Sequence, residues 1–172
     1  TDGTLTDGGR PSHSITVTGT DFGSSCTAST TEIKIGTYEV PCGNVSSWAS
    51  TSVTFTVPTG TGLPNGGAST SGLIVRRDSI DDNTPLTFFV YPRITSGTPI
   101  TGRQGDTITV SGDAFGATQG TSTVVINGTA GTIATFSDIS IQVTINGGLS
   151  TGSIVFTRGA DAKTSNNYSF TI

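Results

Sequence analysis

The chain says the same thing twice, and that repetition constrains its fold more than any other feature. "ITVTGTDFG" begins at Ile15, and "ITVSGDAFG" begins at Ile108. Four more blocks recur in the same order. "KIGTYEV" (34–40) is echoed by "VINGTAG" (125–131), and "WASTSVTFTVP" (48–58) by "FSDISIQVTIN" (136–146). "GLIVRRD" (72–78) is echoed by "GSIVFTR" (152–158), and "LTFFVYP" (86–92) by "YSFTI" (168–172). Repeated blocks in one order mean two copies of one structural unit. Pro92 closes a strand and Ile94 opens the next copy, so the expected domains are 1–92 and 93–172.

Inside each copy the apolar period is two. Val53, Phe55 and Val57 alternate with Thr54 and Thr56; Ile139, Ile141, Val143 and Ile145 alternate with polar residues. That is a strand with one buried and one wet face. No helical period runs through any long window. Asn127-Gly128 has the positive-φ preference of a type I′ hairpin, and Gly36-Thr37 suits type II′ at the matching place. Six or seven short strands in roughly 80 residues predict an all-β chain of two tandem β-sandwiches. Copies this small have thin margins of stability.

Composition narrows the compartment and the partners. Charged residues make up only 12% of the 172, with 24 Gly, no Met and one His. This fits a secreted or bacterial-type cell-surface protein, extracellular in location. The net charge is −4; up to Arg93 eight acids face five bases, and beyond it four face three. Neither half offers the basic footprint that nucleic acid requires. No apolar run approaches the ~20 residues of a membrane span. No signal-peptide pattern opens the chain, so the expectation is a mature chain or an excised fragment. Cys26 and Cys42 are the only cysteines. With no second pair and no neighbouring His, a local disulfide is preferred to a metal or redox site. In the second copy Ile133 is read as standing where Cys42 stands in the first.

The repeated nonapeptide has a structural reading. A strand ends at Gly19 or Gly112, the chain turns, and Phe22 or Phe115 folds back as a plug over the sandwich. Burial of such a ring contributes roughly 1.5–3 kcal/mol. Gly23 or Gly116 then supplies a conformation closed to other residues. "SITVTGTDFG" and "DTITVSGDAFG" resemble the first-strand pattern G-x-x-V-T-I-T-G-x-n-F-G of the IPT/TIG family of immunoglobulin-like domains. The lead "YPRITSGTPITGRQGDTITVSG" is similar to that family's usual approach, and the resemblance covers both halves from about Leu5 onward. The first copy departs at its lead, where "TDGTLTDGGRPSHS" lacks the apolar I-x-x-I. The resemblance implies two tandem immunoglobulin-like (IPT/TIG-type) β-sandwiches. It implies function only weakly, because such modules serve in surface proteins, carbohydrate-active enzymes, receptors and transcription factors.

Chemistry-bearing residues are sparse. His13 lies in a Gly/Ser/Pro-rich lead with no nucleophile motif and reads as a solvated loop residue. "RRDSIDDNTP" (76–85) gathers Asp78, Asp81, Asp82 and Asn83, weak candidates for calcium; Arg–Asp pairing in a turn is preferred. Trp48, the single Trp, aligns with Phe136 and reads as core or edge packing. With Leu86, Phe88 and Val90 facing inward, Phe89 and Tyr91 face outward as interface candidates. Asn44, Asn127 and Asn167 head N-x-S/T sequons and are candidate glycosylation sites. No catalytic residue, cofactor or metal is assigned, and no enzymatic activity is expected.

Three functions compete. The first is a non-enzymatic structural or adhesive module whose partners are other protein domains or copies of itself. The second is a filament subunit in which Thr4, Leu5 and Thr6 of the "TDGTLTDGGR" lead add a strand to a neighbour's sheet edge. The third is an accessory carbohydrate-binding domain that meets surface glycans through Trp48 or Tyr91.

Overall fold

The computed structural model describes residues 7–67, 71–82, 84–146 and 150–171. The elements among them are short strands, with a 3-10 turn at Cys42–Asn44. No helix among the described residues is long and apolar enough to cross a membrane. The chain divides into two compact units. One holds the described residues up to Thr59 and from Leu63 to Val90; the other holds Gly60–Gly62 and the described residues from Tyr91 onward.

The first unit runs β1 (Gly8–Gly9), β2 (Ser14–Thr18), β3 (Glu32–Ile35), β4 (Tyr38–Glu39), β5 (Val45–Ala49), β6 (Ser52–Thr56), β7 (Gly66–Gly67), β8 (Leu73–Arg77), β9 (Ile80–Asp81) and β10 (Phe88–Val90). Its ladders are β2-β6-β5, β4-β3-β8-β9 and β1-β10-β7. The second runs β11 (Arg93–Thr98), β12 (Thr107–Asp113), β13 (Thr123–Ile126), β14 (Thr129–Ala130), β15 (Thr132–Phe136), β16 (Ser140–Thr144), β17 (Gly152–Thr157) and β18 (Tyr168–Phe170). Its ladders are β11-β12-β16-β15 and β14-β13-β17-β18. The strands outnumber the six or seven expected per copy because hairpin arms such as β4, β9 and β14 form ladders only two residues long.

Alternation fills both cores. In the first sandwich Val17, Val53 and Phe55 of one ladder and Ile33, Ile35 and Leu73 of another are buried. Phe55 meets Phe88 at 6.3 Å between ring centroids. In the second, Ile108, Val110, Ile141 and Val143 pack with Val124, Ile126, Ile154 and Phe156. Ile139 breaks the expected run: it sits in the turn before β16 and is exposed. Both hairpins have the expected two-residue loops. Asn127 and Gly128 both have positive φ, as type I′ requires, and Gly36 has positive φ where type II′ requires it.

Pairing registers correct two sequence alignments. Ile35 sits opposite Leu73, and Ile126 sits opposite Ile154. The block at 152–158 therefore lies one residue out of step with 72–78, so that Arg77, not Asp78, corresponds to Arg158. Glycine-flanked apolar blocks slide by one residue in a sequence comparison, yet that slip would turn every side chain to the other face. Similarly, Val45 faces Phe55 as Ile133 faces Val143, so Val45 is the counterpart of Ile133. Cys42 lies earlier, in the 3-10 turn that precedes β5.

Candidate functional site

The repeated nonapeptide builds the same turn twice. Phe22 and Phe115 fold back over Gly19 and Gly112; a Cβ on either glycine would lie 2.4 Å or 2.5 Å from the ring's Cζ. The Phe22 N–H donates to the Ser50 carbonyl and the Phe115 N–H to the Asp138 carbonyl. Both rings are buried, Phe115 completely and Phe22 to 8% exposure. Gly23 and Gly116 have positive φ, but so do Asp21 and Ala114 one step before each Phe. An arginine holds each of those left-handed residues. Arg77 Nη1 donates to the Asp21 carbonyl at 2.9 Å, and Arg158 Nη1 donates to the Ala114 carbonyl at 2.8 Å. Arg158 is buried and forms a two-bond pair with Asp161. Arg77 is half exposed and pairs with Asp78 at 3.3 Å. This clamp escaped the sequence reading because the one-residue slip hid the arginine correspondence.

The two sandwiches differ beside that turn. In the second, β11 lies antiparallel along β12, with Ile94 opposite Gly112 and Thr98 opposite Thr109. In the first, β2 is paired with β6 on one side, and no described strand lies on the other. Burial follows the pairing. Ile108 is fully buried where Ile15 is only half-buried, and Thr109 and Ser111 are half-buried where Thr16 and Thr18 are exposed. Two hollows of ≈ 610 Å³ and ≈ 510 Å³ lie beside β2 and share Val17, Thr18, Leu73 and Leu86. Two of the most exposed large apolar side chains, Ile80 and Leu86, line the first hollow. Its charged lining is Asp21, Asp78, Asp81 and Asp82 with the single Arg77.

The carboxylates proposed for calcium have other partners. Asp81 accepts from Arg76 Nε at 2.6 Å and Lys34 Nζ at 3.0 Å. The Arg76 bond, seconded by Lys34, holds its carboxyl below the usual carboxylate range, and the same bond raises Arg76. Asp82 Oδ1 accepts from the Thr84 backbone N–H and hydroxyl. No three acids, His or Cys converge as a metal site among the described residues, which exclude Asn83.

The remaining candidates are scattered. Cys26 and Cys42 form a disulfide. Trp48 is half-buried on β5, and its indole N–H donates to the Phe22 carbonyl at 2.9 Å. Phe89 and Tyr91 are half-buried, and Lys163 Nζ donates to the Tyr91 hydroxyl at 3.2 Å. Leu86, expected to face inward, is 53% exposed, because it makes an isolated bridge to Leu73 ahead of β10 and stands outside that strand's alternation. His13 is half-buried, and its carbonyl accepts from Val57. The Asn44 side chain donates to Thr56 and that of Asn127 to Ser150, while Asn167 is exposed. Thr4, Leu5 and Thr6 lie outside the described residues; Gly8 and Gly9 of the same lead pair with β10.

Comparison with known proteins bears on the fold. The family model described as IPT/TIG domain matches residues 7–91 and again 92–172. No curated protein matches the chain. Similar solved structures include a surface glycan-binding protein from Prevotella bryantii, 14% identical over 99% of this chain and 39% of that one, with a TM-score of 0.43. The gamma-CGTase from alkalophilic Bacillus clarkii is 24% identical over 66% of this chain and 20% of that one, with a TM-score of 0.45. An auxiliary nutrient binding protein from Bacteroides thetaiotaomicron is 19% identical over 47% of this chain and 20% of that one, with a TM-score of 0.44. The chain thus spans well under half the length of each.

Proposed function

The chain belongs to the IPT/TIG domain family, and from that premise we propose that it is a non-enzymatic extracellular module. In this reading, residues 1–92 and 93–172 are two self-contained sandwiches in series, serving as spacer or adhesive stalk in a bacterial-type surface or secreted protein. The observation that carries the reading is the duplicated turn, in which charged groups serve structure. Arg77, Arg158 and Asp161 hold the backbone around the two phenylalanines, while Arg76 and Lys34 hold Asp81 across neighbouring strands. The disulfide supports an oxidising compartment.

The carbohydrate-binding alternative draws less support. The Trp48 indole is committed to the Phe22 carbonyl, and the Tyr91 hydroxyl accepts from Lys163. Pulling the chain between terminal handles tests the stalk reading: two separate unfolding events are expected. A single co-operative event would overturn it, and so would glycan binding lost on Trp48→Ala with the fold intact.

A further inference from the structure

We propose that the turn joining β11 to β12 is a cleavage site for an arginine-specific endopeptidase, at the Arg103–Gln104 bond, and that the two fragments stay joined through β11. The inference rests on the second sandwich and stands apart from the stalk reading.

Such a protease needs a basic side chain within reach, on a stretch of chain that can be drawn out without opening a core. The sequence holds eight Lys and Arg, all of them among the described residues. Arg10, Lys34 and Arg158 are buried, and Arg10 precedes a proline. Arg76 and Arg93 lie inside strands, opposite Asp81 and Asp113. Arg77 ends β8 just beyond the buried run Leu73, Ile74 and Val75, and its guanidinium is held by the Asp21 carbonyl. Lys163 is half-buried; its Nζ donates to the Tyr91 hydroxyl and lies 4.9 Å from that ring's centroid.

Arg103 sits otherwise. Residues 98–107 are exposed apart from half-buried Gly102, and Ile100 is 60% exposed. Arg103, Gln104, Gly105 and Asp106 place no apolar side chain in the core. A Cβ built on Gly105 would meet nothing within 4 Å. The bonds that shape the turn are local. The Arg103 N–H donates to the Asp106 carboxylate at 2.8 Å, the Asp106 N–H to the Arg103 carbonyl, and the Gly105 N–H to the Ile145 carbonyl. Drawing the turn into a protease cleft breaks these and leaves the core closed. Hydrolysis adds water across the Arg103–Gln104 bond, leaving a carboxylate on Arg103 and an amino group on Gln104.

The cut falls beyond β11, whose hold on the sandwich does not depend on the turn. β11 pairs with β12 from Arg93 opposite Asp113 to Thr98 opposite Thr109, and Ile94 is buried in the core. The Asn166 carboxamide accepts from the Ile94 N–H at 2.8 Å and donates to the Ile94 carbonyl at 3.1 Å. Thr101 bridges Thr171. Fragment 1–103 thus keeps its last strand inlaid in fragment 104–172, held as a sheet holds an added extended strand. Cleavage converts a covalent link between the two copies into a strand-held one.

The probe is trypsin at a low ratio to the native full chain, sampled over time and read by intact mass under denaturing conditions. Fragments 1–103 and 104–172 are expected as the first pair, before any smaller product. Arg103→Gln should abolish that pair with the thermal transition retained, while the urea-unfolded variant is still digested at its other basic residues. Gel filtration of the nicked chain in native buffer should give one peak containing both fragments. Asn166→Ala, which removes both side-chain bonds to Ile94, should release fragment 104–172 from the nicked chain at a lower urea concentration than without the substitution. A first cut at Arg77 or Lys163 would overturn the site. So would the absence of cleavage under conditions that digest the urea-unfolded chain. Fragments that part on gel filtration, or a nicked chain indifferent to Asn166→Ala, would overturn the retention through β11.

Discussion

A methyl group added at Gly112 would lie 2.0 Å from the Arg93 carbonyl oxygen as well as 2.5 Å from Phe115 Cζ, whereas at Gly19 its three nearest atoms all belong to the Phe22 ring. A ring can swing aside, but a paired backbone carbonyl cannot. Gly19→Ala should therefore cost about 1–3 kcal/mol, the range for overpacking, and Gly112→Ala more, read as shifts of urea midpoints. The rings obey the same order. Phe115 is fully buried and meets Phe156 at 4.8 Å, so Phe115→Ala belongs in the range of about 3–5 kcal/mol for deleting a core ring, and Phe22→Ala below it. The arginines should separate more sharply. Arg158→Met strands Asp161 and removes a donor from a buried carbonyl, a loss of about 3–5 kcal/mol. Arg77→Met breaks an exposed pair and should cost under about 1 kcal/mol from that pair. Equal effects at the two arginines would refute the idea that one clamp is buried and the other open.

At the scale of elements, β8 and β9 are tied by charge. Arg76 faces Asp81 across the ladder and also meets Glu32 at 3.2 Å on β3. The Asp81 carboxyl, lowered first by its Arg76 bond and then by Lys34, contributes stability that is present above its unfolded-state range. That contribution is lost as pH falls through the lowered folded value, hence in the window below about pH 4. Asp81→Asn should flatten the acid limb of the first sandwich's melting-temperature profile and leave the neutral plateau shifted by one constant amount. An unchanged acid slope would count against the network. The elements also show what a sequence reveals. The β2, β6, β12 and β16 alternations were legible because period two depends only on neighbouring residues. The Asn127-Gly128 and Gly36-Thr37 loops were legible because backbone sterics demand them. The arginine clamp was not, since it joins β8 to a turn more than fifty positions away and depends on a register that apolar blocks leave open by one residue.

At the scale of the whole molecule, the two sandwiches carry different covalent constraints, and force should reveal this. Extended chain spans at most about 3.5 Å per residue, so releasing a sandwich of roughly 80 residues adds roughly 280 Å of contour. The disulfide joins residues 16 positions apart in the first sandwich only. While it is intact that segment cannot extend, and one of the two unfolding steps should be shorter by about 55 Å. Reducing agent should lengthen that step alone, leaving the other unchanged. It should also lower the thermal stability of the first sandwich by about 3 kcal/mol, the chain-entropy value for a loop of this size, without shifting the second transition. Lengthening of both steps, or a fall in both transitions together, would show that the sandwiches do not bear load independently. A stalk needs that independence, because a module that unfolds locally and leaves its neighbour folded lengthens under load without losing its attachment.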